Sequence, residues 1–292
     1  MKAYILLPLS LLLASCVSTR DFDIMVSNPS DYDRCQLIEV NSFPDDNFIL
    51  KDENGHEMAY QITSEKKLVF ISDVPAGKTA RYYFENGTPA KVGTLCYGRV
   101  FPERKDDLAW ENDRSAYRAY GPALQASGEK AYGYDIWTKS VGYPVLEKRF
   151  YDDIVNKISF HVDHDEGMDV YAVGPTLGGG TSAIITENDS IVYPWCWESA
   201  EVLDNGPLRF TARLTYPPFM IDGDTIIEKR LITLDAGSCL NKTTVTYEGL
   251  DGKHRPMVCR IVVHDSNPTG YTTGPNAVTY CDQTQQPNQM QS

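Results

Sequence analysis

The chain has 292 residues, is 42% hydrophobic and 23% charged, and carries 40 acidic against 27 basic side chains for a formal net charge of −13. That is ordinary globular material for one large or two unequal domains, and it excludes a disordered or collagen-like chain. The acidity argues against DNA or RNA as a partner, because phosphate binders carry surplus Lys and Arg, and the seven Cys are too few for a disulfide scaffold.

The first element is a leader. Lys2 gives a short positive start and Ile5 to Ala14 is almost wholly apolar, too short for a spanning helix of about 20 residues. It ends in Leu13-Ala14-Ser15-Cys16, which resembles the recognition sequence of bacterial lipoproteins. The resemblance implies that residues 1–15 are a signal peptide, that cleavage falls before Cys16, and that Cys16 is lipidated. The membrane contact is then the N-terminal lipid, since no second apolar run approaches membrane length. Val17 follows the lipidated position instead of the Asp that resembles an inner-membrane retention signal. An outer-membrane lipoprotein on the periplasmic or cell-surface side is expected. The six other Cys show no close CxxC spacing and read as small buried hydrophobes, with room for a bridge or two.

Residues 16–90 read as a small β-sandwich. Ile38 to Val40, Phe48 to Leu50, Met58 to Thr63, Leu68 to Ser72 and Thr79 to Phe84 have strand lengths, and Asn54-Gly55 and Val74-Pro75-Ala76-Gly77-Lys78 are turn signals. Pro89-Ala90 marks a boundary, and residues 91–292 read as a larger antiparallel sandwich. Leu208, Phe210, Ala212, Leu214 and Tyr216 alternate with Arg209, Thr211, Arg213 and Thr215, the period of a sheet with one dry and one wet face. Asp222-Gly223 turns the chain, Ile226 to Leu234 returns, and Lys242 to Glu248 alternates again. Leu146 to Lys157 is the one helix candidate, from Leu146, Phe150 and Ile154 at four-residue spacing. The fold class is all-β.

No nucleophile elbow, phosphate loop, HExxH or kinase set is present. Three segments concentrate polar chemistry instead: Trp110 to Pro122, Gly133 to Lys139, and His161 to Asp169. Trp110-Glu111-Asn112-Asp113-Arg114, Tyr117 to Pro122, Tyr134-Asp135-Ile136-Trp137, His161-Val162-Asp163-His164, Val173 to Gly180 and Leu203 to Leu208 resemble the landmarks of a Bacteroidetes lipoprotein family, the domain of unknown function 4861. Members are often found beside enzymes that degrade plant polysaccharides, pectin among them. The resemblance implies a large domain like the supersandwich of galactose mutarotases, some polysaccharide lyases and several glycosidases, although fold alone does not fix function. It also implies further strands beyond the polar stretch Cys281 to Ser292, so the large sandwich is expected to be incomplete.

On a strand from Ser115 to Tyr120, Arg114, Arg118 and Tyr120 share a face. Two Arg and a Tyr suit a uronic acid, because guanidinium holds a carboxylate bidentately and the ring packs on the sugar; the competing reading is an ion-pair lattice of these Arg with Glu111 and Asp113. His161 and His164 are candidate general bases, against a polar turn built on Asp163 and Asp165. Asp135 is a secondary acid/base candidate; Trp137, beside it, and Trp195 and Trp197, which would share a strand face, are candidate sugar platforms, against the safer reading of each as a core filler. Too few ligands cluster for a metal, and no cofactor is expected.

Two functions of different class follow. In the first, a lipid-anchored enzyme processes an acidic polysaccharide or oligosaccharide such as pectin. As a lyase, Arg114 and Arg118 neutralise the uronate and His161 or His164 removes the proton alpha to it. As a hydrolase, two carboxylates are drawn from Glu111, Asp113, Asp135 and Asp163. In the second, a non-catalytic lipoprotein binds the glycan with the same Arg and aromatics. The net charge opposes an anionic ligand at long range, so either reading requires a locally basic groove.

Overall fold

The computed structural model describes residues 23–265 and 267–281; the leader and Cys16 lie outside them. Six short strands come first: β1 (Ile24–Ser27), β2 (Arg34–Val40), β3 (Phe48–Asp52), β4 (Tyr60–Ile62), β5 (Leu68–Val74) and β6 (Thr79–Asn86). They form two three-stranded antiparallel sheets, β1-β6-β3 and β2-β5-β4. Phe48, Leu50, Leu68, Phe70 and Tyr82 fill the layer between them.

Residues 87–96 carry the chain to β7 (Tyr97–Phe101), β8 (Asp107–Glu111), β9 (Ser115–Ala119) and β10 (Asp135–Thr138), which pair in the order β10-β9-β8-β7. A one-turn helix, α1 (Pro122–Ala126), joins β9 to β10. The proposed helix over Leu146 to Lys157 is α-helical only as α2 (Leu146–Tyr151) and continues as a π-helical turn over Asp152–Asn156. Beyond it lie β11 (Gly179–Ile185), β12 (Ile191–Val192), β13 (Ser199–Asn205), β14 (Arg209–Thr215), β15 (Phe219–Ile221), β16 (Asp224–Asp235), β17 (Lys242–Glu248), β18 (Met257–Ile261), β19 (Tyr271–Thr273) and β20 (Val278–Tyr280). Every strand ladder described is antiparallel. The protein is an all-β sandwich.

The period-two segments become the central sheet. Phe210, Ala212, Leu214, Ile232 and Leu234 of β14 and β16 pack against Trp110 and Tyr117 of β8 and β9. Asp222 and Gly223 both have positive φ, 47° and 89°, so Ile221 pairs directly with Asp224 across a two-residue hairpin. Glycine is required where β11 begins, because a Cβ on Gly178 would lie 2.4 Å from the Tyr134 carbonyl oxygen. That approach pins the segment after Gly174 to the start of β10.

The small sandwich docks firmly on the large one. Val69, with Leu37 and Ile71, joins the core around Trp110 and Phe210. The Gln61 side-chain Oε1 accepts from the backbone N–H of Leu208 and of Arg209, both at 2.8 Å. Arg209 bridges Glu39 at 2.6 Å and Asp235 at 2.6 Å. Arg209 and Thr211, on the face expected to be wet, are therefore buried beneath the first sheets.

Candidate functional site

Strand β8 is buried along its whole length, because both faces of its sheet are covered. Leu108 and Trp110 face the central core, while Ala109, with Ala116 and Trp137, packs under Leu146 and Phe150 of α2 and under Phe160. By alternation, Asp107 and Glu111 share the second face, where each buried carboxyl needs a partner. Glu111 accepts from the backbone N–H of Val145 (2.8 Å) and Leu146 (2.9 Å) and from the buried Lys139 Nζ (2.6 Å). It caps the start of α2.

Asp107 belongs to a different cluster. In β9, Arg118 stands opposite Ala109 on one side and Asp135 on the other, and the small Ala109 leaves room for the guanidinium. Arg118 Nη2 donates to Asp135 Oδ2 at 2.5 Å and to Asp169 Oδ2 at 3.1 Å, and Nη1 lies 3.7 Å from Asp107 Oδ2. Asp135 also accepts from the Trp137 indole N–H at 3.0 Å and from the Ile136 amide at 2.9 Å.

One cation thus serves three buried carboxyls. Full ionisation would leave two charges unmatched, so protons are retained. Burial, then the Asp135 charge, pushes Asp169 up to about 8 against the pull of Arg118. Burial also pushes Asp107 up to about 6. Burial opposes the charge on Arg118, but its carboxylates hold it well above the ordinary guanidinium value.

Asp169 links this cluster to solvent through the loop that carries His161. His161 Nδ1 lies 3.5 Å from Asp169 Oδ2 and 3.3 Å from its carbonyl oxygen, with the side chain 38% exposed. Burial lowers the imidazole below its usual value, leaving it neutral near pH 7. Above them opens a cavity of about 250 Å³ whose lining includes Arg104, Arg118, Tyr120, Lys130, His161 and Asp169. Burial raises the Tyr120 phenol well above its ordinary value, and its ring lies 5.0 Å from the Arg118 guanidinium. The Arg118 charge is matched by Asp135, so with Asp169 protonated the opening keeps the cations of Arg104 and Lys130, while Glu129 pairs with Lys105. The cavity is locally basic in an acidic protein.

The structure therefore brings together Arg118, Tyr120, Asp135 and His161, and it separates the other residues expected to join them. Arg114 is exposed and pairs with its neighbour Asp113 at 3.3 Å. His164 turns away, with Nε2 3.2 Å from the Ser159 carbonyl, beside a small depression formed by Lys148 and Arg149. The turn on Asp163, which accepts from Gly167 N–H at 3.0 Å, sends the two imidazoles apart. Asp135 is fully buried behind Arg118, so it positions the guanidinium and cannot itself meet a ligand. Trp137 is equally buried, stacked on Phe160 at 4.8 Å, and is core and not a platform. Trp195 and Trp197 leave no common strand face, because residues 193–198 are irregular. Of the six described Cys, all are unbridged and only Cys96 and Cys196 are buried. Sequence reasoning missed Asp107, Asp169, Arg104 and Lys130 as parts of the site. Parity within β8 was the signal for Asp107, while Asp169 is joined by an isolated bridge to Trp137 that only the folded loop reveals.

The sequence matches the family described as a domain of unknown function, DUF4861, over residues 26–291. The chain belongs to that family. It is also similar to "Uncharacterized protein P7" of Formosa agariphila, 29% identical over 174 residues, which cover 57% of this chain and 44% of that protein. The match thus spans less than half the length of that relative. No solved structure matches.

Proposed function

We propose that this protein processes an acidic glycan, pectic material being the first candidate, by β-elimination at the Arg118–Asp169–His161 cavity. The observation that carries this reading is a locally basic opening where a neutral imidazole stands beside a protonated carboxyl and a protonated phenol. Arg104 and Lys130, above the Arg118–Asp135 pair, supply the positive field that neutralises a uronate carboxylate. His161 accepts the proton alpha to that carboxylate, and the released electron pair forms the carbon–carbon double bond. The glycosidic carbon–oxygen bond breaks, and Tyr120 protonates the leaving oxygen. The Asp169 backbone carbonyl, 3.3 Å from His161 Nδ1, orients the imidazole. Hydrolysis by two opposed carboxylates fits less well: of the pool expected from sequence, Glu111 and Asp135 are fully buried, and Asp113 and Asp163 hold backbone amides at 2.6 and 3.0 Å.

The proposal includes attachment through a lipid on Cys16 at the outer membrane; among the described residues no helix is long and apolar enough to cross a bilayer. The deciding experiment presents pectic and other acidic oligosaccharides to the protein and to His161→Ala, following the ultraviolet absorbance of an unsaturated uronate. Loss of turnover in a folded variant supports elimination. Intact turnover removes His161 from the mechanism, and saturable binding without turnover by the unmutated protein supports the glycan-binding alternative.

A further inference from the structure

Resting on that reading, we propose that Tyr132, Tyr193 and Trp195 form a sugar-stacking subsite beside the cavity, so that the ligand is an oligosaccharide and not a single sugar acid. The three rings touch: Tyr132 and Tyr193 have centroids 5.2 Å apart, and Tyr132 and Trp195 6.1 Å apart at 80°. Tyr193 is 41% exposed, and the other two are half-buried. A scattered exposed aromatic needs no explanation, but a group held together at the surface leaves apolar area in water that folding alone does not require.

The trio is built into the wall of the cavity. Tyr132 directly follows Glu129, Lys130 and Ala131, all of which line the opening. Trp195 donates its indole N–H to the Glu129 carbonyl at 3.3 Å, which fixes the 193–195 segment against that wall. Trp195 also packs, with Tyr120, on a cluster that includes Leu124 and Ala131; Tyr120, Leu124 and Ala131 also line the cavity. The platform and the cavity therefore share the residues of one packed wall. The chemistry divides accordingly: cations ring the cavity, whereas the Glu129 charge next to the platform is taken up by Lys105. A carboxylate belongs in the first and the apolar face of a neighbouring pyranose ring on the second. Tyr and Trp suit this work because they offer a flat apolar face with a polar edge at low entropic cost.

The test is affinity against chain length, measured by calorimetry with a ladder of galacturonate oligosaccharides and a second ladder containing glucuronate. For the unmutated protein, affinity should rise from the single sugar acid to the short oligomers. Tyr193→Ala should remove about tenfold of that gain, the order of one aromatic contact, while Tyr193→Phe, which keeps the ring, should retain it. A length dependence identical in Tyr193→Ala and the unmutated protein overturns the subsite, as does an affinity that never rises with length. Failure of the unmutated protein to bind any acidic sugar overturns the elimination reading and the subsite together. Equal binding of single sugars and oligomers overturns the subsite alone.

Discussion

Asp169→Asn tests the electrostatics of the cavity most directly. The carboxyl is held up to about 8, against an ordinary value of 3.8, by burial and by the Asp135 charge. Between those values the folded protein keeps a proton that the unfolded chain has released. Stability therefore falls as pH rises, by about 1.4 kcal/mol per pH unit, and levels off above about pH 8. Over roughly four units the ceiling is about 6 kcal/mol, reduced in practice by relaxation and water entry. Asn has nearly the same shape, can still accept from Arg118, and cannot ionise. The advantage of the variant over the unmutated protein should widen steadily from pH 5 to about pH 8 and then hold to pH 9. At about 2–4 °C per kcal/mol for a chain of this size, the separation at pH 9 should reach several degrees in Tm. A smaller common fall between about pH 4 and 6 should remain in both proteins, because Asp107 is raised to about 6. Thermal unfolding followed by near-ultraviolet circular dichroism across pH 5–9 measures this. Parallel Tm curves for the two proteins would show that Asp169 is ionised in the folded state and would refute the argument.

The same structure predicts the outcome of other changes. Arg118→Met removes the cation from among three buried carboxyls and should cost about 3–5 kcal/mol in urea unfolding; an unshifted midpoint would contradict the packing described. Glu111→Gln weakens the N-terminal cap of α2 and leaves the buried Lys139 without its carboxylate, so a loss of about 3 kcal/mol is expected by the same measurement. Arg114→Ala and His164→Ala, at exposed positions, should each change stability by no more than about 0.5 kcal/mol and leave turnover intact; a large drop in turnover from either would place them in the site after all. Cys16→Ala should release the protein from detergent-dependent membrane association, and unchanged association would remove the lipid anchor from the proposal.

The fold was legible because its signals are local. Leu208 to Tyr216 alternates over nine positions, and a one-residue slip would have placed Leu214 and Phe210 in water, so register and face were fixed together. Asp222-Gly223 supplied two residues that tolerate positive φ where the hairpin needs them. The helix over Leu146 to Lys157 was legible only in its first half, since Leu146 and Phe150 meet the core under β8 while the positions after Tyr151 widen into a π turn. What alternation could not disclose was the second layer over a sheet face. Arg209 and Thr211 were expected to be wet, but they are covered by strands from the first sandwich, more than a hundred residues away in sequence.

The same distinction explains the site. Arg118, Tyr120, Asp135 and His161 were chosen for their chemistry, and strand parity already put the first two on one face; the pairing of β9 with β10 then sets Asp135 opposite Arg118. Their roles depended on a loop with no period at all. When residues 158–170 fold over that face, Asp169 arrives at Arg118, Phe160 seals Trp137, and Asp135 is shut away from solvent. Motif adjacency suggested that His161 and His164 act together, but three residues on a turn are enough to point two imidazoles at different neighbours. Burial then separates the acids that adjacency had grouped: Glu111 is fully satisfied by two amides and an ammonium, whereas Asp107 and Asp169 share one guanidinium with Asp135, so both are pushed up, Asp107 to about 6 and Asp169 to about 8. A carboxyl that keeps its proton near neutral pH, beside an imidazole that has lost one, arises from that shortage of cations. Three acids converging on one Arg is a property of the closed loop, and no single segment of the sequence contains it.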